Sequence, residues 1–410
     1  MQCPYAMPLM PYGRPAGLLQ KRIQAKISGD KSGQRFITGR NKHALPSVCA
    51  GLLALSSLAS CSDWTRPESV EIHAPTLEEQ DPELYAQYLQ NLREYKESDH
   101  KMVFGWFDNS ASTPAGQSDR LAALPDSLDA VVLMYPDQID SWELDEMRDI
   151  RQDKGTRVLY TIDYATLLSD WEATLPSDGD ASGDGSSDGD SQGGDGTAGD
   201  ALSDEDSESA DGFLTWLGSR LDSLLPMCAE HGFDGITVWY DPVNTSHLPD
   251  AEKALQEARQ FAFESRIKSW LDSNPDKLFF LESSRMQLIK DKSILEMSDY
   301  LVVRTETASH ISSVATSVMS LLTDGIPDDR FIIMANVVSP FDAGIGYITD
   351  TDGNTVNAIE EIAWWVATPE QGMTKAGLGA YGIKADYWSS VTDYYTTRKA
   401  ISILNSSSIN

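Results

Sequence analysis

From Lys101 onward the chain repeats one unit: a short, almost unbroken apolar run followed by a stretch with helical periodicity. The runs are KMVFGWFDN (101–109), LDAVVLMYP (128–136), TRVLYTIDY (156–164), FDGITVWYDP (233–242), KLFFLESS (277–284), DYLVVRTET (299–307), RFIIMANVVSP (330–340) and GLGAYGIKADYW (377–388). A strand with one wet face alternates polar and apolar residues, so near-continuous runs predict parallel strands covered by helices. Helical patterns such as DSWELDEMRDIRQDKG and AEKALQEARQFAFESRIKSWLDSN lie between them. Eight strand–helix units over about 300 residues is the count of an α/β (β/α)8 TIM barrel. A doubly wound open sheet is the alternative, and the lack of a glycine-rich phosphate fingerprint after any early run counts against it.

Charge narrows the partners. The formal net charge is −31 over 410 residues, but residues 1–60 hold eight Lys/Arg against the single acid Asp30. That local +7 leaves −38 on everything after it. A protein that follows phosphates needs the opposite sign, which excludes nucleic acid and leaves neutral ligands such as sugars. Cysteines at 3, 49, 61 and 228 cannot form a disulfide framework, and Cys228 reads as a small buried apolar residue. His231 and His247 flank the fourth run without partners at ligand spacing, so we expect no metal, and no cofactor motif is present.

The first 60 residues read as a leader. GRNKHALPSVCAGLLALSSLASC has a basic segment, an apolar run of about a dozen residues, and the ending Leu58-Ala59-Ser60-Cys61. The run is too short for a permanent span. Its small-small-Cys ending resembles a bacterial lipobox, which implies acylation at Cys61 and anchoring of the mature chain by its lipid. The basic segment is unusually long, and a start codon assigned too early explains it. The chain thus divides into a leader (1–60), a tether and leading helix (61–98) and a barrel (99–410).

One interruption stands inside the barrel. Residues 176–211 hold twelve acids, eight glycines and no basic residue. Their Asp-Gly-Asp pieces invite a calcium reading, but no run closes with a bidentate Glu at the required spacing. A solvated, disordered insertion held open by its own charge is the expectation.

In such a barrel the C-terminal strand ends converge on one mouth. Those ends carry Asp108, Asp163, Asp241, Glu282 and Glu306, with Trp106, Tyr135, Tyr164, Trp239, Tyr240, Tyr381, Tyr387 and Trp388. Flat rings and carboxylates suit sugars, whose C–H faces stack while their hydroxyls hydrogen-bond.

The run Phe233-Asp234-Gly235-Ile236-Thr237-Val238-Trp239-Tyr240-Asp241 resembles the fourth-strand signature of glycoside hydrolase family 18, D-G-x-D-x-D-x-E. From about Trp64 to the terminal TRKAISILN the chain resembles a Bacteroides-type lipoprotein branch of that family of chitinases and endo-β-N-acetylglucosaminidases. The likeness implies an outer-membrane, cell-surface location and association with a glycan-import complex. Carried over by position, the motif's first Asp falls on Asp234, its second on Thr237 and its third on Trp239, and the general-acid Glu falls on Asp241. Positions 237, 239 and 241 share one strand face and point inward. In the family, the inner carboxylate orients the substrate acetamido group while the Glu protonates the leaving oxygen.

Trp239 supplies neither charge nor acceptor there. Asp241 is one methylene short, pulling the proton back by roughly 1 Å, and a misplacement of that size costs on the order of 10²-fold. The residues therefore predict a pseudoenzyme that binds N-acetylglucosamine-containing glycan through Trp106, Asp108, Tyr135, Asp163, Thr237, Trp239, Tyr240, Tyr381 and Trp388. The alternative is an active endo-glycosidase using Asp241 as acid with Glu282 or Glu306 as partner. A scaffold with a filled mouth is the third reading. An acid pair about 5–10 Å apart across an open groove would favour the enzyme, and an open groove floored by Trp239 would favour binding.

Overall fold

The β-branched and aromatic runs form β1 (Met102–Phe107), β2 (Ala130–Leu133), β3 (Arg157–Asp163), β4 (Gly235–Trp239), β5 (Leu278–Ser283), β6 (Tyr300–Val303), β7 (Phe331–Asn336) and β10 (Lys375–Tyr381). In this computed structural model every neighbouring pair is parallel, and the order β1-β10-β7-β6-β5-β4-β3-β2 closes on itself. The chain is a (β/α)8 barrel. The structure describes residues 76–175 and 204–406. The leader, the lipidation residue Cys61 and most of the acidic insertion lie outside the described residues. The described residues fall in two units, which divide between Asp81 and Pro82. In the first, Leu77–Gln80 is a short helix whose Thr76 and Glu79 cap each other. The helix Pro82–Glu97 belongs to the second, with Leu92 buried and Lys96 donating to Thr156 Oγ1.

Alternation along each strand builds two cores. Inward residues Phe104, Trp106, Val132, Leu159, Phe280, Val302, Ile332 and Met334 fill the barrel, while outward residues pack under the helices. Phe104 stacks on Phe280, with ring centroids 4.7 Å apart. Gly379 makes room at the mouth: a Cβ there would come within 2.8 Å of the Trp106 indole. Helix Ser141–Lys154 begins with a capping box between Asp140 and Glu143 and stops at Gly155, whose φ of 68° a side chain would resist.

Two runs end earlier than their apolar pattern predicts. DYLVVRTET leaves the sheet after Val303, where Arg304 turns into the barrel mouth. GLGAYGIKADYW stops at Tyr381; Gly382 adopts φ 69° and Ile383–Trp388 coil into a 3-10 helix. A hairpin of β8 (Tyr347–Thr349) and β9 (Thr355–Asn357), too short for its pattern to be read in the sequence, follows β7.

Candidate functional site at the barrel mouth

The strand ends surround a cavity of about 300 Å³. Trp106, Tyr135, Asp163, Trp239 and Tyr381 all line it, so five of the nine residues expected to hold glycan meet in one place. Glu282 and Arg304 form part of the same wall. Asp137, Asp170 and Arg220 add charge at its rim, and Arg220 pairs with Asp137.

The floor is organised by Arg304, a residue not singled out from the sequence. Its guanidinium donates from Nη1 to Glu282 Oε2 at 2.9 Å and from Nε to Glu306 Oε1 at 2.8 Å. The same group lies 3.6 Å from the Trp239 ring centroid and 5.0 Å from that of Tyr381. A desolvated guanidinium over an indole gains about 2 kcal/mol from the ring quadrupole. Glu282 is fully buried and also accepts from Trp106 Nε1 at 2.8 Å and Thr237 Oγ1 at 2.5 Å. Burial pushes the Glu282 carboxyl up, and Arg304, Thr237 and Trp106 pull against it. Burial alone would lower the Arg304 guanidinium, but Glu282 and Glu306 raise it, so it stays charged. The sequence did contain a signal: Val302, Arg304 and Glu306 recur with period two, placing a cation and an acid on the inward face.

Asp241 does not line this cavity. Its Oδ1 accepts from Ser283 Oγ at 2.8 Å and Ser284 N at 2.7 Å, and its Oδ2 from Ser284 Oγ at 2.8 Å. The carboxylate is thereby spent on the last residue of β5 and the one after it. The two proposed partners, Glu282 and Glu306, are both paired with Arg304. One oxygen of Glu306, Oε2, is buried without a hydrogen bond among the described residues.

Other expectations need correction. Tyr240 faces outward, because strand alternation sets it opposite Trp239. It is buried against Tyr164 and Phe263, and its hydroxyl donates to Glu264 at 2.9 Å. Thr237 is sealed in the barrel interior by Glu282 and does not line the cavity. Asp108 closes a local turn by accepting from Ser110 N and is likewise not in the cavity wall. Trp388 stands 53 % exposed, edge-on to Tyr387 and Phe341 and outside the cavity. Asp163 does line the cavity, but its oxygens also cap helix Tyr164–Thr174 through Ala165 N and Thr166 Oγ1.

Asp234, at the opposite end of β4, is a structural charge. It accepts a two-pronged bond from Arg151 at 2.9 and 3.0 Å and one from Val158 N. Cys228 is buried beside it, and burial pushes its thiol up to about 11. Among the described residues no cluster of His, Cys, Asp or Glu has the form of a metal site, and no helix is long and apolar enough to cross a membrane.

The sequence profile of glycoside hydrolase family 18, BT1044-like, matches residues 65–403. The solved structure of BT1044 superposes with a TM-score of 0.52 at 18 % identity, covering 81 % of this chain and 96 % of that one. An endo-β-N-acetylglucosaminidase from Cordyceps militaris gives 0.49 at 18 % identity, over 81 % and 97 % of the two chains. A chitinase-like agglutinin from Robinia pseudoacacia gives 0.42 at 12 %, over 73 % and 99 %. No curated protein matches the sequence. With its closed barrel and the family profile spanning most of its length, this chain belongs to glycoside hydrolase family 18, in the BT1044-like group.

Proposed function

We propose that this chain binds N-acetylglucosamine-containing glycan at its barrel mouth without hydrolysing it, held at the outer-membrane surface by an acylated Cys61. The observation that carries the reading is the position of Arg304. Its guanidinium covers Trp239, the position of the inner carboxylate in the family motif, and joins Glu282 to Glu306. The family mechanism needs a free carboxylate in that place, and here an indole covered by a guanidinium already paired with two carboxylates occupies it. Asp241, on the general-acid position, has both oxygens engaged by Ser283 and Ser284 outside the cavity wall.

Binding requires less. Trp106, Trp239, Tyr135 and Tyr381 give the cavity apolar ring surface, and Asp163 gives it a carboxylate edge. The buried Thr161 hydroxyl lines the same space and has no partner among the described residues, so a ligand hydroxyl would complete it. The basic leader, its apolar run and the Leu-Ala-Ser-Cys ending support the anchor. A surface-held binder of this kind would serve a glycan-import complex as its partner.

The test incubates the protein with N-glycans and chitin oligosaccharides and measures cleavage and retention together. Retention without cleavage is expected. Cleavage abolished by Asp241→Asn would replace this reading with the hydrolytic one, and absence of retention would leave the mouth as scaffold. Acylation is checked separately: Cys61→Ser should release the protein from the membrane fraction.

A further inference from the structure

We propose that the base of the barrel, at the strand starts, is an anion site that takes a phosphate-bearing group. A cavity of about 430 Å³ there is lined by Arg93, Lys96, Arg148, Arg151 and Arg157. These five cations gather in a chain whose formal net charge is −31. In so acidic a molecule the summed field repels anions, so a local concentration of cations is a specific feature and not part of a general steering surface.

The acids in the same wall do not neutralise it. Glu97, Asp129 and Asp234 are the carboxylates in that wall, against four arginines and Lys96; Arg148 also pairs with Asp145 and Asp149 outside it. Two of the three are also committed. Asp129 accepts from Val103 N at 2.7 Å and faces His100 Nε2 at 2.9 Å, and Asp234 is held by Arg151 and Val158 N. Lys96 has only the Thr156 hydroxyl, at 2.6 Å, and no carboxylate within ion-pair distance among the described residues. Burial pushes its ammonium down to about 7 against the pull of Asp129 and Asp126. Arg157 is 64 % exposed and approaches Asp234 only to 3.7 Å. Arg93 uses one nitrogen on the Asp153 carbonyl. Donors therefore outnumber acceptors on a concave surface.

A phosphate fits this arrangement because its oxygens accept from several directions at once. Guanidinium forks match it in pairs. The group can be a free phosphate or the headgroup of an anionic lipid, and the test separates them. Full-length protein is titrated at low ionic strength with inorganic phosphate, and in parallel with phosphatidylglycerol and phosphatidylcholine vesicles. Lys96→Gln and Arg157→Gln are each expected to weaken binding at least tenfold. Both should leave glycan retention at the mouth unchanged, and Arg157→Gln, at an exposed position, should also leave the unfolding midpoint unchanged. Phosphate binding lost in the variants assigns a soluble ligand. Binding confined to phosphatidylglycerol vesicles, and lost in the variants, assigns a headgroup. Failure of all three probes to bind, or variants that bind like the parent chain, overturns the site.

Discussion

At the mouth, Arg304 is 6 % exposed and has a carboxylate on each side; at the base, Arg157 is 64 % exposed and has one distant acid. Both ends belong to the same eight strands, and both gather arginines near carboxylates. The mouth spends its charge internally, so what it offers a ligand is ring surface and a few hydroxyls. The base keeps unspent cations, so what it offers is charge. One barrel can thus present a neutral-ligand face and an anion face, because the mouth pairs its charges within its own wall and the base leaves cations less fully paired.

Paired truncations test that contrast most strongly. Glu282→Ala strands a buried Arg304 bond and leaves Trp106 Nε1 and Thr237 without an acceptor. It should cost about 3–5 kcal/mol in denaturant unfolding. Asp234→Ala, whose partner Arg151 reaches solvent, should cost about 2 kcal/mol. Equal losses at the two ends would break the comparison.

Trp239→Ala should weaken retention of chitin oligosaccharides by about tenfold or more, since a stacking anchor of this type contributes about 2 kcal/mol. Lys96→Gln in the same assay sharpens the contrast by leaving retention intact.

Helix Ser141–Lys154 starts beside Glu143, and burial pushes that carboxyl from 4.5 up to about 7. Between those values the folded protein keeps a proton that the unfolded chain has released. Stability therefore falls as pH rises through that window and stays lower above it. Glu143→Gln removes the titration and keeps the cap acceptor. It should be neutral at pH 4 and stabilising by about 1–2 kcal/mol at pH 8, read from unfolding midpoints. A gap that shrinks with pH would contradict the burial argument.

The smallest effect is expected at Asp241. Asp241→Asn should leave any glycan turnover unchanged and cost about 1 kcal/mol in stability, because it weakens bonds to Ser283 and Ser284. A turnover that vanishes in this variant alone would move the mouth from binding to catalysis.

Much of this architecture was legible in the residues. Each strand declares itself through a local apolar run, and Asp140 and Gly155 mark the bounds of a helix in the same local way. The inward placement of Thr237 and Trp239 followed from period two alone. The same rule excludes Tyr240, which sits between Trp239 and Asp241 and so must face the helices; reading it as a ligand contact overlooked that alternation. Asp108 and Asp163 were read by type, yet an aspartate at a strand end is as useful to a turn or helix cap as to a ligand. Arg304 carried a signal, an ion inside an apolar run, and its partners Glu282, Glu306 and Trp239 were read at the mouth; their pairing with it was not.

The sequence by itself determined the barrel, the strand faces and the altered motif, because these depend on residues a few positions apart. Only the tertiary structure decided where the charges go. Trp106 meets Glu282 across 176 positions, Arg304 meets it across 22, and Lys96 meets Thr156 across 60. Trp106 on β1 reaches Glu282 on β5 across the closed ring, Arg304 follows the neighbouring β6, and Lys96 lies on the helix before β1. Ring closure sets side chains from separate runs within hydrogen-bond reach, which no local pattern encodes.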